Sequence, residues 1–144
     1  MRRGGAPSRW FAETEIEIQF YDLDPMQIVW HGNYVKYLEV ARCALLDQID
    51  YNYHQMKDSG YMWPVIDVSL RYIGSAVFGQ RIKVRAEIVE YENRLKIDYL
   101  ITDAASGKRL TRASTSQVAV SIATGEMSFV SPDILFEKLG VTPS

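Results

Sequence analysis

Two aspartates stand two residues apart in an apolar stretch of the chain, FYDLDPMQIVWHGNY (residues 20–34). A carboxylate among apolar residues loses hydration, so Asp22 and Asp24 must either take part in chemistry or be bonded to neighbouring groups. Seven residues after Asp24, the sequence His31-Gly32-Asn33 precedes a predicted helix, whose first amides lack partners and form the positive end of its dipole. Such amides can polarise a carbonyl and hold an oxyanion while a carboxylate attacks or activates water, which is acyl-transfer chemistry.

The same two aspartates also suit a purely structural interpretation. Aspartate is frequent in turns, where its side chain accepts hydrogen bonds from nearby backbone amides. The spacing of Asp22 and Asp24 is compatible with either role, so both interpretations stay open at this point.

One long helix is predicted over residues 33–49, with Asn33 as its N-cap. Its apolar residues recur at spacings of three and four and form one stripe: Tyr34, Leu38, Ala41, Leu45 and Ile49. Alternating polar and apolar residues predict strands over 13–20, 66–72, 82–88 and 95–101, and residues 108–122 are predicted to form a last, more apolar strand. Residues 50–63 are predicted to be a loop with a short helical turn, and residues 135–144 receive no assignment.

Short turns between the later strands predict antiparallel neighbours in sequence order. An antiparallel sheet with one apolar face needs a cover, and only one predicted helix is long enough to provide it. We therefore expect an α+β fold in the order β-α-β-β-β-β, an antiparallel sheet of about five strands wrapped around one long helix. Residues 1–144 are expected to form one domain, with a flexible start over residues 1–11.

Composition excludes several classes of function. Of the 144 residues, 47% are hydrophobic and 24% charged, which is typical of a globular chain. A net charge of −2 without a basic block argues against a nucleic-acid partner, and the absence of a long apolar run argues against a membrane partner. Two histidines and one cysteine exclude metal sites built from several histidines or thiolates, and GxGxxG, P-loop, HExxH and GxSxG motifs are missing. We expect no metal, no cofactor, a cytoplasmic location and a buried structural Cys43.

The segment YDLDPMQIVWHGNYVKYLEVAR, residues 21–42, closely resembles the signature of the hotdog-fold thioesterases of the 4-hydroxybenzoyl-CoA thioesterase family. The resemblance continues through Trp63-Pro64-Val65, the segment 71–84 and Ser131-Pro132, so it covers nearly the whole chain after residue 13. The family fold has the strand, helix and four-strand order that the periodicity predicts.

The resemblance implies that Asp24 is the catalytic carboxylate and that the backbone amide of His31 polarises the substrate carbonyl. Trp30, Tyr34 and Gln27 are the expected substrate contacts, although Tyr34 also belongs to the apolar stripe. The chain departs from the family at Gln27, where the family usually has glycine. Glu39 matches the family pattern as well, but it equally suits a surface ion pair with Arg42.

The implied function is hydrolysis of an acyl-CoA or acyl-carrier-protein thioester, with Asp24 as nucleophile or general base. Two alternatives remain: a hotdog dehydratase or hydratase acting on acyl thioesters, and a non-catalytic subunit that binds acyl thioesters. The resemblance also implies a homodimer or homotetramer with pockets at the subunit boundary, and the open edges of a five-stranded sheet provide a physical reason for association.

Two further groups of residues have more than one interpretation. One is a set of cations that could meet phosphates or simply cover a solvated face: Arg81, Lys83, Arg85, Arg94 and Lys96. The other is a set of aromatic residues that could line an acyl tunnel or pack beneath the loop: Tyr51, Tyr53, Tyr61 and Trp63.

Overall fold

The computed structural model describes residues 9–142. Within that range the strands are β1 (Phe11–Glu17), β2 (Tyr61–Met62), β3 (Val65–Tyr72), β4 (Arg81–Glu90), β5 (Leu95–Asp103), β6 (Arg109–Gln117) and β7 (Val120–Ser121). The helices are α1 (Asn33–Gln48), α2 (Tyr53–Asp58) and α3 (Asp133–Leu139), and a 3-10 turn spans Phe20–Asp22. The α+β class, the long helix and the five main strands are confirmed.

The five main strands form one antiparallel sheet in the order β1-β4-β5-β6-β3. The expectation that successive strands are neighbours is wrong for β3 and β4, because β3 pairs with β6 at the opposite side of the sheet. Residues 73–80 carry the chain across, and this crossing is anchored at Ala76. Its carbonyl accepts a hydrogen bond from the Val29 amide at 2.9 Å, and its own amide donates to the Tyr34 hydroxyl at 3.3 Å.

Helix α1 packs its apolar stripe against one face of the sheet. All five stripe residues are buried, as the spacing predicts, and Tyr37 and Leu46 widen the buried surface. The sheet supplies alternate residues of β4 and β5, which are buried too: Ile82, Val84, Ala86, Ile88, Leu95, Ile97, Tyr99 and Ile101. Burial of each isoleucine, leucine or valine side chain in this set contributes about 1.5–3 kcal/mol, so this interface holds α1 firmly against the sheet.

The start of α1 differs from expectation. Gly32, not Asn33, occupies the N-cap, and no side chain caps the helix there. Asn33 is the first helical residue, and its side-chain amide instead donates to the Asp22 carbonyl at 2.8 Å. The prediction of an Asn33 N-cap is therefore wrong, because the preceding loop uses that side chain as its anchor.

The two ends of the described range meet. Residues 1–8 of the expected flexible start lie outside the described residues, but Trp10 packs edge-on against Tyr91 and donates to the Leu139 carbonyl at 3.2 Å. Helix α3, which the sequence left unassigned, buries Leu135, Phe136 and Leu139. No helix between residues 9 and 142 has the length and apolar character needed to cross a membrane.

The predicted strand over 108–122 is interrupted. Strand β6 ends at Gln117, and after two residues the chain forms β7, which pairs with β2 in a separate two-stranded sheet. The short helical turn expected within residues 50–63 is confirmed as α2, where Asn52 and Gln55 form a capping box.

Candidate active site

Residues 22–30 form a short hairpin, here called the Asp24 hairpin, directly before α1. The Trp30 amide donates to the Asp22 carbonyl at 3.0 Å, and the Asp24 amide donates to the Ile28 carbonyl at 2.9 Å. An isolated antiparallel bridge lies between these two hydrogen bonds. The hairpin therefore holds Asp24 at its turn and brings the chain back to the first residues of the helix.

The turn itself spans Asp24, Pro25, Met26 and Gln27. The Gln27 amide donates to the Asp24 carbonyl at 2.9 Å, and Gln27 has a left-handed backbone with φ of 66°. Asp and Pro are favoured at the first two positions of a type I turn, and a left-handed residue commonly follows such a turn in a three-residue hairpin loop. The family glycine at this position is explained by the backbone, because glycine adopts that conformation without strain.

The Asp24 carboxylate combines the two roles that the sequence left open. Its Oδ1 accepts a hydrogen bond from the Met26 amide at 2.8 Å, which is a structural contact within the turn. Its Oδ2 receives no hydrogen bond from any described residue, and the residue is only partly buried. One oxygen therefore fixes the side chain while the other stays open to a substrate.

His31 lies exposed between the hairpin and α1. Its carbonyl accepts a hydrogen bond from the Tyr72 hydroxyl at 3.0 Å, whereas its amide donates to no other residue in the range 9–142. Trp30, half exposed, covers Gly32 so closely that a Cβ on that glycine would lie 2.4 Å from the indole ring. The glycine thus leaves room for Trp30 at the point where the helix dipole begins.

The three expected substrate contacts have different environments. Trp30 and the exposed Gln27 lie on the same hairpin as Asp24. Tyr34 is buried beneath the 73–80 crossing, where its hydroxyl accepts the Ala76 amide, and burial raises its pKa. We therefore assign Tyr34 a structural role.

Asp22 is buried, with 3% of its surface exposed, and holds the base of the hairpin. Its carboxylate accepts hydrogen bonds from the Gln19 amide and the Lys36 ammonium, both at 3.0 Å. Burial alone would raise the pKa of Asp22, but these donors outweigh it and hold the pKa below its ordinary value. Burial, with the nearby Asp22 carboxylate, raises the pKa of Tyr37 far above its usual range. Asp22 is therefore an ionised anchor, and Tyr37 beside it remains neutral.

A cavity of about 540 Å³ lies near the other end of α1, between that helix, α2 and the β2–β7 pair. Tyr53, Tyr61 and Trp63 line it, whereas Tyr51 is buried behind it and bonds to Trp63 and Ser59. Arg42, which contributes to the cavity wall, is nine residues after the start of α1, about 14 Å along the helix axis. The sequence analysis named Tyr53, Tyr61 and Trp63 among four aromatic candidates. It could not place them around a cavity, because no local spacing of residues indicates a cavity.

Other candidates are resolved by their contacts. The prediction of a buried Cys43 is wrong: the thiol is exposed on α1, and the Asn52 side chain lies 3.1 Å from its sulfur. His54 is also exposed and lies on α2, which follows the C-terminal end of α1. His31 lies before the N-terminal end of α1, so the two histidines do not share a site. Within residues 9–142 no group of three or more histidine, cysteine or acidic side chains could hold a metal ion.

Three of the five cations in question, Arg81, Arg85 and Arg94, form ion pairs with glutamates. Arg81 bonds to Glu15 at 3.3 Å and to Glu17 at 3.2 Å, and Arg94 pairs with Glu90. Such exposed pairs stabilise little, but they show that these guanidinium groups already have anionic partners. Glu39 and Arg42 also form the predicted ion pair.

Comparisons with known proteins identify the family. The model of the thioesterase-like superfamily matches residues 18–136. Bacillus subtilis YneP, a protein named as an acyl-CoA thioesterase, is 30% identical over 110 residues, covering 76% of this chain and 79% of its own. The fold matches a DHNA-CoA thioesterase from Staphylococcus aureus with a TM-score of 0.78 and 27% identity, covering 90% of this chain and 86% of that one. It also matches Slr0204, a 1,4-dihydroxy-2-naphthoyl-CoA thioesterase from Synechocystis, with a TM-score of 0.80 and 20% identity, covering 90% and 96%. The hotdog fold is thus confirmed, and the chain belongs to the thioesterase-like superfamily.

Proposed function

We propose that this protein hydrolyses acyl-CoA or acyl-carrier-protein thioesters to a free acid and a thiol, using Asp24 and the helix start at His31. One observation carries the proposal. The Asp24 hairpin presents an open carboxylate oxygen and leads directly into an unpaired amide at the positive end of α1. A carboxylate and an oxyanion donor are the two groups that acyl transfer to water requires.

In the reaction, the thioester oxygen accepts a hydrogen bond from the His31 amide, and the α1 dipole stabilises the negative charge that develops there. Asp24 Oδ2 then acts in one of two ways. As a nucleophile it attacks the carbonyl carbon, expels the thiolate and forms a mixed anhydride that water hydrolyses. As a general base it takes a proton from the water that attacks the same carbon, and the thiolate leaves afterwards.

The cavity lies next to an Asp24 hairpin only when two copies of the chain associate. Within one chain the cavity and the hairpin lie toward opposite ends of α1. Strand β3 is an open edge whose Ile66 and Val68 side chains are exposed, whereas β1 at the other edge carries Glu13, Glu15 and Glu17. Charged edge strands resist pairing, so β3 is the edge we propose for association.

Antiparallel pairing of β3 with a second β3 would set the Val65 end of one strand against the Tyr72 end of the other. Pro64, directly before Val65, lines the cavity, and Tyr72 bonds to the carbonyl of His31. The cavity of one protomer then lies beside the Asp24 hairpin of its partner. We propose a homodimer with two such composite sites, which can associate further into a tetramer.

The test is release of thiol from short, long and aromatic acyl-CoAs by the wild type, by Asp24→Asn and by Asp58→Asn, an exposed aspartate on α2. We expect Asp24→Asn to lose about 10²–10⁴-fold in kcat and Asp58→Asn to match the wild type. Hydroxylamine in the assay would divert a mixed anhydride to a hydroxamate and so favour the nucleophilic route. Turnover that survives in Asp24→Asn would overturn the assignment of Asp24.

A further inference from the structure

Tyr72, the last residue of β3, joins the sheet to the turn that precedes α1. Its hydroxyl donates a hydrogen bond to the His31 carbonyl at 3.0 Å, across 41 positions of sequence. Its ring packs edge-on against the ring of Tyr34, with 5.2 Å between centroids, and against that of His31, with 6.5 Å. The proposed reaction gives no role to Tyr72, although the residue that it holds supplies the oxyanion donor.

The turn consists of His31 and Gly32, between the Asp24 hairpin and the first helical residue. The Asn33 amide closes it by donating to the Trp30 carbonyl at 2.9 Å. The amides of His31 and Gly32 donate to no residue in the range 9–142, and no side chain caps the helix at Gly32. Glycine restricts the backbone less than any other residue, so the direction of these open amides depends on contacts from outside the turn.

Hydrogen bonds to two successive carbonyls determine where the His31 amide points. A peptide group is planar and trans, so its N–H points away from its own C=O. The Asn33 amide holds the Trp30 carbonyl and so orients the peptide group that carries the His31 N–H. The Tyr72 hydroxyl and, at 3.3 Å, the Tyr34 amide hold the His31 carbonyl and so orient the next peptide group. Among these bonds between described residues, the one from Tyr72 alone comes from the sheet, and it therefore relates the direction of the amide to the rest of the fold.

We propose that Tyr72 is a positioning residue for the hydrolysis: its hydroxyl holds the His31 carbonyl so that the amide of the same residue stays directed at the thioester oxygen. An oxyanion donor is most effective when it is in place before the charge develops, because no reorganisation is then needed during the reaction. Tyr72 acts through the backbone and not on the substrate. The inference rests on the proposed thioesterase function and adds to it a residue of the sheet.

The bond between Tyr72 and His31 contributes little to the stability of the fold. Tyr72 is 47% exposed, and water replaces its hydrogen bond in the unfolded chain. Tyr72→Phe keeps the ring with its edge-on contacts and removes only the donor. The melting temperature of Tyr72→Phe should therefore lie close to that of the wild type, so that a change in activity does not come from unfolding.

The first test compares kcat and KM of the wild type and Tyr72→Phe, with the acyl-CoA that the wild type hydrolyses fastest. Removing an oxyanion donor lowers kcat about 10²–10³-fold, and Tyr72→Phe loosens the donor without removing it, so we expect kcat to fall about 5–50-fold. KM should change by less than about twofold, because the donor acts mainly in the transition state. Tyr91→Phe should match the wild type and is the control, because Tyr91 also packs edge-on against aromatic rings but lies in the turn between β4 and β5.

The second test observes the turn itself and needs no turnover. The chain has two histidines, so protein labelled with ¹⁵N-histidine gives one backbone amide signal from His31 and one from His54 on α2, which is an internal reference. In Tyr72→Phe the His31 signal should shift and broaden, whereas the His54 signal should stay in place.

An unchanged His31 signal in Tyr72→Phe, or a loss of activity found only in Tyr72→Met, which removes the ring as well, would overturn the inference. A lower sedimenting mass of Tyr72→Phe would also overturn it, by assigning the loss of activity to the open edge of β3. A wild type that hydrolyses thioesters together with an equally active Tyr72→Phe would overturn this inference alone. A wild type that hydrolyses no thioester would overturn the proposed function and the inference with it.

Discussion

The Lys36 ammonium lies 3.0 Å from the Asp22 carboxylate and joins the first turn of α1 to the base of the Asp24 hairpin. Asp22 contributes through its backbone as well, since its carbonyl accepts hydrogen bonds from the Trp30 amide and the Asn33 side chain. The position of Asp24 relative to the helix therefore depends on an aspartate that takes no part in the proposed reaction. Of the two aspartates, the buried one is structural and the partly exposed one is available for chemistry.

Replacing Lys36 by methionine should destabilise the protein in a pH-dependent way. The lowered pKa of folded Asp22 means that its contribution to stability is present above the unfolded value of about 3.9 and is lost as the pH falls through the folded pKa. Without Lys36 the folded pKa rises, so Lys36→Met should lose about 1 kcal/mol of unfolding free energy at neutral pH and progressively less below about pH 4. Urea titrations across this pH range measure the difference.

The control for this measurement is Lys57→Met, because Lys57 is an exposed lysine on α2 that forms no ion pair with a described residue. It should show little change at any pH. A loss in Lys36→Met that is as large at pH 2 as at pH 7 would contradict the role assigned to the ion pair.

Asparagine and alanine at position 24 should separate the structural and chemical roles of Asp24. Asparagine keeps an oxygen that can accept the Met26 amide, so Asp24→Asn should change the unfolding free energy by less than about 0.5 kcal/mol. Alanine removes the acceptor and should cost about 1 kcal/mol. Thermal unfolding of the two variants checks this, and both should lose about 10²–10⁴-fold in kcat for thioester hydrolysis. If asparagine costs as much as alanine, the carboxylate charge itself stabilises the turn.

The elements that the sequence predicts well are those whose signals are local. The apolar stripe of α1 and the alternation in β4 and β5 depend on residues a few positions apart, and burial follows both patterns. The Asp24-Pro25 pair is also a local turn signal, and the hairpin that it begins could have been predicted from it.

What the sequence could not predict depends on contacts between distant residues. The pairing of β3 with β6 requires residues 73–80 to cross the sheet, and the anchors of this crossing, Val29 and Tyr34, are more than forty positions before its end. The exposure of Cys43 and the cavity beside Arg42 depend likewise on where α2 and β7 pack. Of the proposed site, the Asp24 and His31 positions were available from the resemblance, whereas the cavity beside α2 required the structure.

Gln27 should be replaceable by glycine with a gain in stability. A left-handed backbone costs a residue with a side chain about 1–2 kcal/mol, and glycine avoids this cost while losing about 0.5–1 kcal/mol through its greater freedom in the unfolded chain. Gln27→Gly should therefore stabilise the protein by roughly 0.5–1 kcal/mol, measured by urea unfolding. Gln48→Gly, at the end of α1, is the control, and it should lower the free energy of unfolding because glycine is unfavourable in a helix. A destabilised Gln27→Gly would mean that the glutamine side chain makes a contact worth more than the backbone strain.

An arginine at Val68 should dissociate the proposed dimer. Val68 lies in the open edge strand β3 with 44% of its surface exposed, and Val40 on α1 is a matched control with 45% exposed. Across a two-fold axis in antiparallel β3 strands, two arginines would face each other near the centre of the interface and repel. Analytical ultracentrifugation should give at least twice the chain mass for the wild type and for Val40→Arg, and the chain mass for Val68→Arg.

Loss of hydrolysis should accompany dissociation, since the cavity and the Asp24 hairpin of each composite site come from different chains. A monomeric wild type with full activity would rule out the composite site and require both parts of the substrate to bind one chain.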